Sequence, residues 1–134
     1  MNKIIFILTL FLASTTTIFA QSDKEFTYAT SDKQGDNYYV YIESTESNYS
    51  KVWIKSITTE KSYKNKKGKL VKTGGGKTMT FVKINCSDRE YDSIESTTYN
   101  KSGSVINYRD YPIYNEKVIP GSVMSGIFRT VCNE

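Results

Sequence analysis

PGSVMSGIFRTVC, residues 120–132, is the stretch on which the fold of this chain turns. Pro120 and Gly121 interrupt what precedes them. Ser122 then supplies the side-chain oxygen that an N-cap offers to the unpaired backbone N–H groups opening a helix. From there Val123, Met124, Ile127, Phe128 and Val131 recur at helical spacing and form one apolar face. Cys132 follows Phe128 by four positions and belongs to the same face. Gly126 costs about 1 kcal/mol relative to alanine, and so short a helix does not persist alone in water. The segment therefore predicts a single C-terminal helix that needs a surface to lie on and something to hold it there.

The chain has one other cysteine, Cys86. Its first twenty residues, MNKIIFILTLFLASTTTIFA, place Lys3 before an apolar run from Ile4 to Leu12 and end in a short polar stretch and Ala20. This is the pattern of a secretory signal peptide cleaved after Ala20. An apolar core of about nine residues falls short of the roughly 20 that a spanning helix needs. No second hydrophobic segment follows, so no transmembrane segment is expected in the mature chain. Residues 21–134 form one domain of ordinary size, exported to the periplasm, the cell surface or the medium, with no cysteine after the cleavage site to take a lipid anchor. Two cysteines in an exported chain favour one disulfide, Cys86 to Cys132. A zinc site is the weaker alternative, because the chain has no histidine and only these two thiols. Closing a ring of about 47 residues contributes at most about 4 kcal/mol by chain entropy. The bridge would tie the far end of a weak helix to whatever carries Cys86.

What carries it reads as strand. Tyrosine, threonine, valine and isoleucine come in short bursts separated by polar turn residues. The predicted strands are Glu25 to Thr30, Tyr38 to Glu43, Lys51 to Thr59, Thr78 to Cys86, Arg89 to Tyr99 and Ser104 to Tyr108. Gly35-Asp36-Asn37, the run Asn85 to Asp88, and Asn100 to Gly103 separate several of them, so sequential hairpins follow. Within Lys51 to Ile57, Val52 and Ile54 share one face while Trp53, Lys55 and Ile57 share the other. Both faces are partly apolar: one is expected to carry the helix, the other a partner chain or exposed aromatics. The expected fold class is α+β, a small antiparallel sheet of about six strands with one C-terminal α-helix packed on a face and pinned by a disulfide.

The block KSYKNKKGKLVKTGGGK, residues 61–77, differs in kind, with seven lysines (Lys61, Lys64, Lys66, Lys67, Lys69, Lys72 and Lys77), four glycines and no acid. It looks like a long flexible hairpin loop. Without Lys3 the chain carries +3, so outside this block the remainder is near −4 and the basicity is local. A mobile cluster of this kind attracts sulfated glycans, anionic head groups, nucleic acid or acidic protein surfaces, although solvation alone also accounts for a charged hairpin tip. Tyr63 is its only aromatic, so the interleaved stacking platform of single-strand nucleic-acid binders is lacking and no nucleic-acid partner is expected. The second candidate surface is aromatic: Tyr38, Tyr39 and Tyr41 lie together in one strand, with Trp53 close in sequence. Ordinary packing of a small sheet also uses such residues.

Catalytic readings are thin. With no histidine, a serine-histidine-acid triad is excluded, and oxidised cysteines are not nucleophiles. Gly74-Gly75-Gly76-Lys77-Thr78 suggests a phosphate loop, but Val71 stands where the motif needs its first glycine, and Met79 to Val82 reads as strand rather than helix. Asp88, Glu90 and Asp92, and separately Glu43 and Glu46, cluster without marking a pocket, and alternate acids around Arg89 look like a solvated face. A calcium loop would need spaced ligands and a turn glycine that are missing. Asn48-Tyr49-Ser50 and Asn85-Cys86-Ser87 match a glycosylation sequon, which matters only in a eukaryotic secretory route. A non-enzymatic protein with no cofactor and no metal is expected.

Lys51-Val52-Trp53-Ile54-Lys55, Asn85-Cys86-Ser87-Asp88-Arg89-Glu90-Tyr91, Thr98-Tyr99-Asn100 with Gly103, Ile119-Pro120-Gly121-Ser122 and Val131-Cys132 together resemble the bacterial surface-adhesin protein E family. The specific part is a Cys-x-x-Arg-x-Tyr strand combined with a Pro-Gly-Ser helix start and a terminal Val-Cys. The resemblance implies an antiparallel sheet with a disulfide-held C-terminal helix, a tendency to form dimers, and binding of extracellular proteins at a bacterial surface. Carried over by position, it makes Cys86 and Cys132 the bridge, Trp53 a sheet residue and Pro120-Gly121-Ser122 the helix entry. The block 61–77 is this chain's own. The expected partner is an extracellular or envelope protein or an acidic glycan, with a second copy of the chain as a further candidate; the alternative is a structural or accessory protein of the cell envelope.

Overall fold

The computed structural model describes residues 25–134, and the expected leader, residues 1–20, lies outside them. The chain runs through β1 (Thr27–Ser31), β2 (Asn37–Thr45), β3 (Ser50–Ile57), β4 (Lys61–Lys64), β5 (Leu70–Thr73), β6 (Lys77–Asn85), β7 (Glu90–Tyr99), β8 (Val105–Arg109), β9 (Ile113–Lys117) and α1 (Val123–Cys132). A seven-stranded antiparallel sheet has the order β1-β2-β3-β6-β7-β8, with β9 on the same side of β7 as β8. Strand β8 pairs with Ser96 to Tyr99 and β9 with Glu90 to Ser93. The hairpin order is the sequential one expected, and each of the six predicted strands lies within two residues of its expected bounds.

Three strands escaped the sequence reading. In β4 and β5 the lysines hide the alternation, because lysine is a poor β-former and the apolar positions are only Tyr63, Leu70 and Val71. In β9 the cause is backbone: Asn115 sits at φ 57, and pairing with β7 shifts register between Tyr91 and Ser93.

The core lies between one sheet face and α1. Val40, Val52, Ile54, Val82 and Ile84 project from β2, β3 and β6 to meet Ile127, Phe128 and Val131, and Val118 closes one side. Phe128 and Ile84 are fully buried. Burying such side chains contributes about 1.5–3 kcal/mol each, the main reason a ten-residue helix persists here. Ser122 caps it as expected, its hydroxyl accepting from the Ser125 N–H at 3.1 Å. At the other end Asn133 adopts the left-handed conformation, and its N–H donates to the Arg129 carbonyl.

The disulfide joins Cys86, immediately after β6, to Cys132, the last residue of α1, with Cα atoms 5.7 Å apart. The turn between β6 and β7 adds a second hold. The Arg89 guanidinium lies 4.6 Å over the Phe128 ring and pairs with Glu134 at 2.6 Å, and the Arg89 carbonyl accepts from the Val118 N–H at 3.0 Å. Gly126, expected only as a weak point, has a packing reason. A Cβ there would come within 2.7 Å of the Thr30 side chain, so glycine lets the helix settle against β1.

Candidate functional site

The lysine block is a paired hairpin arm. Strands β3 and β6 pair as far as Ile57 and Lys77, and the ladder runs one step further: Thr58 N–H donates to Gly76 O at 3.0 Å and Gly75 N–H to Thr58 O at 2.8 Å. There the chain turns a corner. Gly74 and Gly75 take φ of 88° and 75°, and a Cβ on Gly74 would lie 2.2 Å from the Thr59 carbonyl oxygen. The glycine run that suggested a phosphate loop thus joins the end of β5 to the start of β6.

The corner is anchored on two sides. Thr59 N–H donates to Asp36 Oδ1 at 2.9 Å and its hydroxyl to Gly35 O, fixing it to the β1–β2 turn. Glu60 pairs with Lys101 of the β7–β8 turn at 2.5 Å, and that hydrogen bond and charge hold the Glu60 carboxyl below its ordinary pKa.

Beyond the corner β4 and β5 form a two-stranded sheet of their own. The expected hairpin is present, but ladder-paired rather than a loop. Its turn is built on Asn65, whose N–H donates to Lys69 O at 2.9 Å and whose Oδ1 accepts from Lys67 N–H at 3.0 Å and Lys69 N–H at 2.9 Å. The register sets Lys61 against Thr73, Ser62 against Lys72, Tyr63 against Val71 and Lys64 against Leu70. Because side chains alternate across a strand, Lys61 shares a face with Tyr63, Val71 and Thr73, while Lys64 and Lys72 share the other with Ser62 and Leu70. Lys66 and Lys67 occupy the turn, and Lys69 continues the first face. All six are exposed, and among the described residues none is in an ion pair. Lys77 stands apart from them at the start of β6, 5.1 Å over the Tyr99 ring.

The tyrosine cluster divides. Tyr38 turns to the helix side, packs on the core, and donates its hydroxyl to Asp32 at 3.3 Å; burial first, then the Asp32 charge, raises its pKa above 10.0. Tyr39 and Tyr41 lie on the opposite face with Trp53. There Trp53 packs on Phe81 at 4.9 Å, Tyr28 on Tyr39 at 5.8 Å and Phe26 on Tyr41 at 5.9 Å, and Lys55 lies over Phe26 and Tyr39 at 4.4 and 5.3 Å. The rings mostly pack against one another, with Tyr28 the most exposed of them. The sequence reading missed a third surface at the β8–β9 edge, where Val105, Ile106, Tyr108, Tyr111, Ile113 and Tyr114 are exposed. Its signal was present as short apolar pairs spread over residues 105–114.

The acids have structural employment. Asp88 accepts from Asn85 Nδ2 at 2.8 Å, Glu90 pairs with Lys117, and Asp92 caps the Asn115 N–H at 2.9 Å. Glu43 accepts from the Trp53 indole at 3.4 Å and Glu46 pairs with Lys51 at 2.8 Å. Among the described residues no group of three or more acids and cysteines could hold a metal ion, and no helix is long and apolar enough to cross a membrane.

A family model described as Surface-adhesin protein E matches residues 26–133, nearly all of the described chain. No curated protein and no solved structure matches.

Proposed function

The chain belongs to the surface-adhesin protein E family, and from that premise we propose that it is an exported binding domain which engages an acidic extracellular or envelope macromolecule through the lysine arm. Family membership itself points to a surface adhesin-like, non-enzymatic protein that binds external molecules. What the family does not supply is the binding element. One observation carries that choice: six exposed lysines, none of them in an ion pair among the described residues, are concentrated on a strand-paired arm whose base is fixed to two neighbouring turns. A charged segment ordered before binding loses less entropy on association than a loop that must be ordered by its ligand. Its field, concentrated on the arm of a chain whose remainder is net acidic, also steers acidic partners towards it.

The test is charge reversal. Replacing Lys64, Lys66, Lys67 and Lys69 with glutamate is expected to abolish binding to acidic extracellular-matrix material while leaving the melting temperature within a few degrees, because all four side chains are exposed. Unchanged binding would remove the arm from the account.

A second reading is an accessory envelope protein that docks a partner on the helix-free sheet face, favoured by the aromatic cluster around Tyr39, Tyr41, Trp53 and Phe81. Under it, charge reversal on the arm is silent and the protein co-purifies with envelope fractions. Both readings take residues 1–20 as a leader removed before Gln21, which N-terminal sequencing of the exported product checks.

A further inference from the structure

On one face of the arm Tyr63 lies between Lys61 and Lys69, opposite Val71. Its ring is about half exposed, at 52%, and no described aromatic or cation packs over it. Resting on the reading of the arm as the binding element, we propose that the arm's ligand is a sulfated polysaccharide, with a sugar ring seated on Tyr63 and sulfate groups on either side of it meeting Lys61 and Lys69.

Four features favour this ligand. The lysines occupy both faces and the tip of the arm, so a flat acidic protein surface would reach only some of them, whereas a flexible chain can pass along one face and around the turn. The block 61–77 contains seven lysines and no arginine. The ammonium is a point charge that accepts anions from many directions, where the guanidinium fork selects planar, fixed carboxylates and phosphates. A ligand whose anions vary in position along a chain suits the former. The apolar side chains Tyr63 and Leu70 project from opposite faces, so the arm has no single apolar side to lay into a lipid surface. One aromatic ring is enough to seat one sugar and too few for a run of stacked bases.

The proposal separates a sugar-specific contribution from charge, and so does its test. Binding of the protein to heparin, which carries sulfates on sugar rings, is measured beside binding to polyphosphate, which has the charge and no rings. Tyr63→Ala is expected to weaken heparin binding roughly two- to tenfold, the range of an aromatic contact beyond area burial, and to leave polyphosphate binding unchanged because the charge is the same. Tyr63→Phe is expected to keep heparin binding. If Tyr63→Ala leaves heparin binding intact, or weakens both polymers equally, the polysaccharide assignment is overturned and the arm remains a site for acidic partners in general. If charge reversal at Lys64, Lys66, Lys67 and Lys69 alters binding of neither polymer, the arm itself is wrong.

Discussion

Gly126 shows how a residue can be read correctly for propensity and still be misjudged. In an isolated helix alanine would be better by about 1 kcal/mol. In this molecule the Thr30 Cβ, Oγ1 and Cγ2 atoms stand 2.7 to 3.0 Å from where the alanine methyl would sit. Gly126→Ala is therefore expected to destabilise the protein by about 1–3 kcal/mol in denaturant unfolding, the usual cost of overpacking, whereas propensity alone gives a gain. Tyrosine ionisation makes a second residue-scale prediction. Burial and then the nearby Asp32 raise the pKa of Tyr38, and burial and then Glu116 raise that of Tyr91. A raised folded-state pKa means that the unfolded chain releases its phenolic protons first. The contribution of these two groups to stability is then fully present below pH 10 and is lost as the pH rises through the folded-state values. Alkaline titration of tyrosinate absorbance should show a fraction ionising above 10.0, appearing together with unfolding. Full ionisation below that point with the fold retained would contradict the burial of both side chains.

At the scale of elements, the arm depends on its glycine corner. Alanine at Gly74 would need φ near 88° and would drive its methyl to 2.2 Å from the Thr59 carbonyl. Gly74→Ala is expected to release the arm, so that amides of Lys61 to Thr73 lose hydrogen-exchange protection while those of Val52 and Val82, in the core strands, keep theirs. Equal protection in both segments would show that the corner tolerates the change. This element was the least legible in the sequence. Lysine spacing gave the charge but not the pairing, since alternation is visible only where apolar residues mark one face, and here they mark two. The helix was the most legible: its cap, apolar stripe and cysteine all appear in thirteen consecutive residues. The main strands were also readable, because Val52 and Ile54 alternate cleanly against Trp53 and Lys55. What could not be read was which of the neighbouring tyrosines the helix covers. Tyr38 and Tyr39 point to opposite faces of β2, and only pairing with β3 reveals which of them the helix covers.

For the molecule as a whole, the two halves of the structure divide the work. The helix, the disulfide and the Arg89 contacts with Phe128 and Glu134 close one sheet face, and the arm, the aromatic face and the β8–β9 edge are among the described surfaces open to partners. Charge distinguishes the arm from the other two. Its six exposed lysines are concentrated on two short paired strands and the turn between them, and because such charges are screened over about 8 Å at physiological ionic strength, its attraction for polyanions must be sensitive to salt. The measurement that bears most directly on this assignment is the affinity for heparin and for polyphosphate between about 0.1 M and about 1 M salt, made on the unaltered protein and on a variant with Lys61, Lys64, Lys66, Lys67, Lys69 and Lys72 changed to glutamine. The unaltered protein should bind both polymers and weaken steeply as salt rises, while the glutamine variant should bind weakly and almost independently of salt; equal affinities with equal salt dependence would contradict the arm as the binding element.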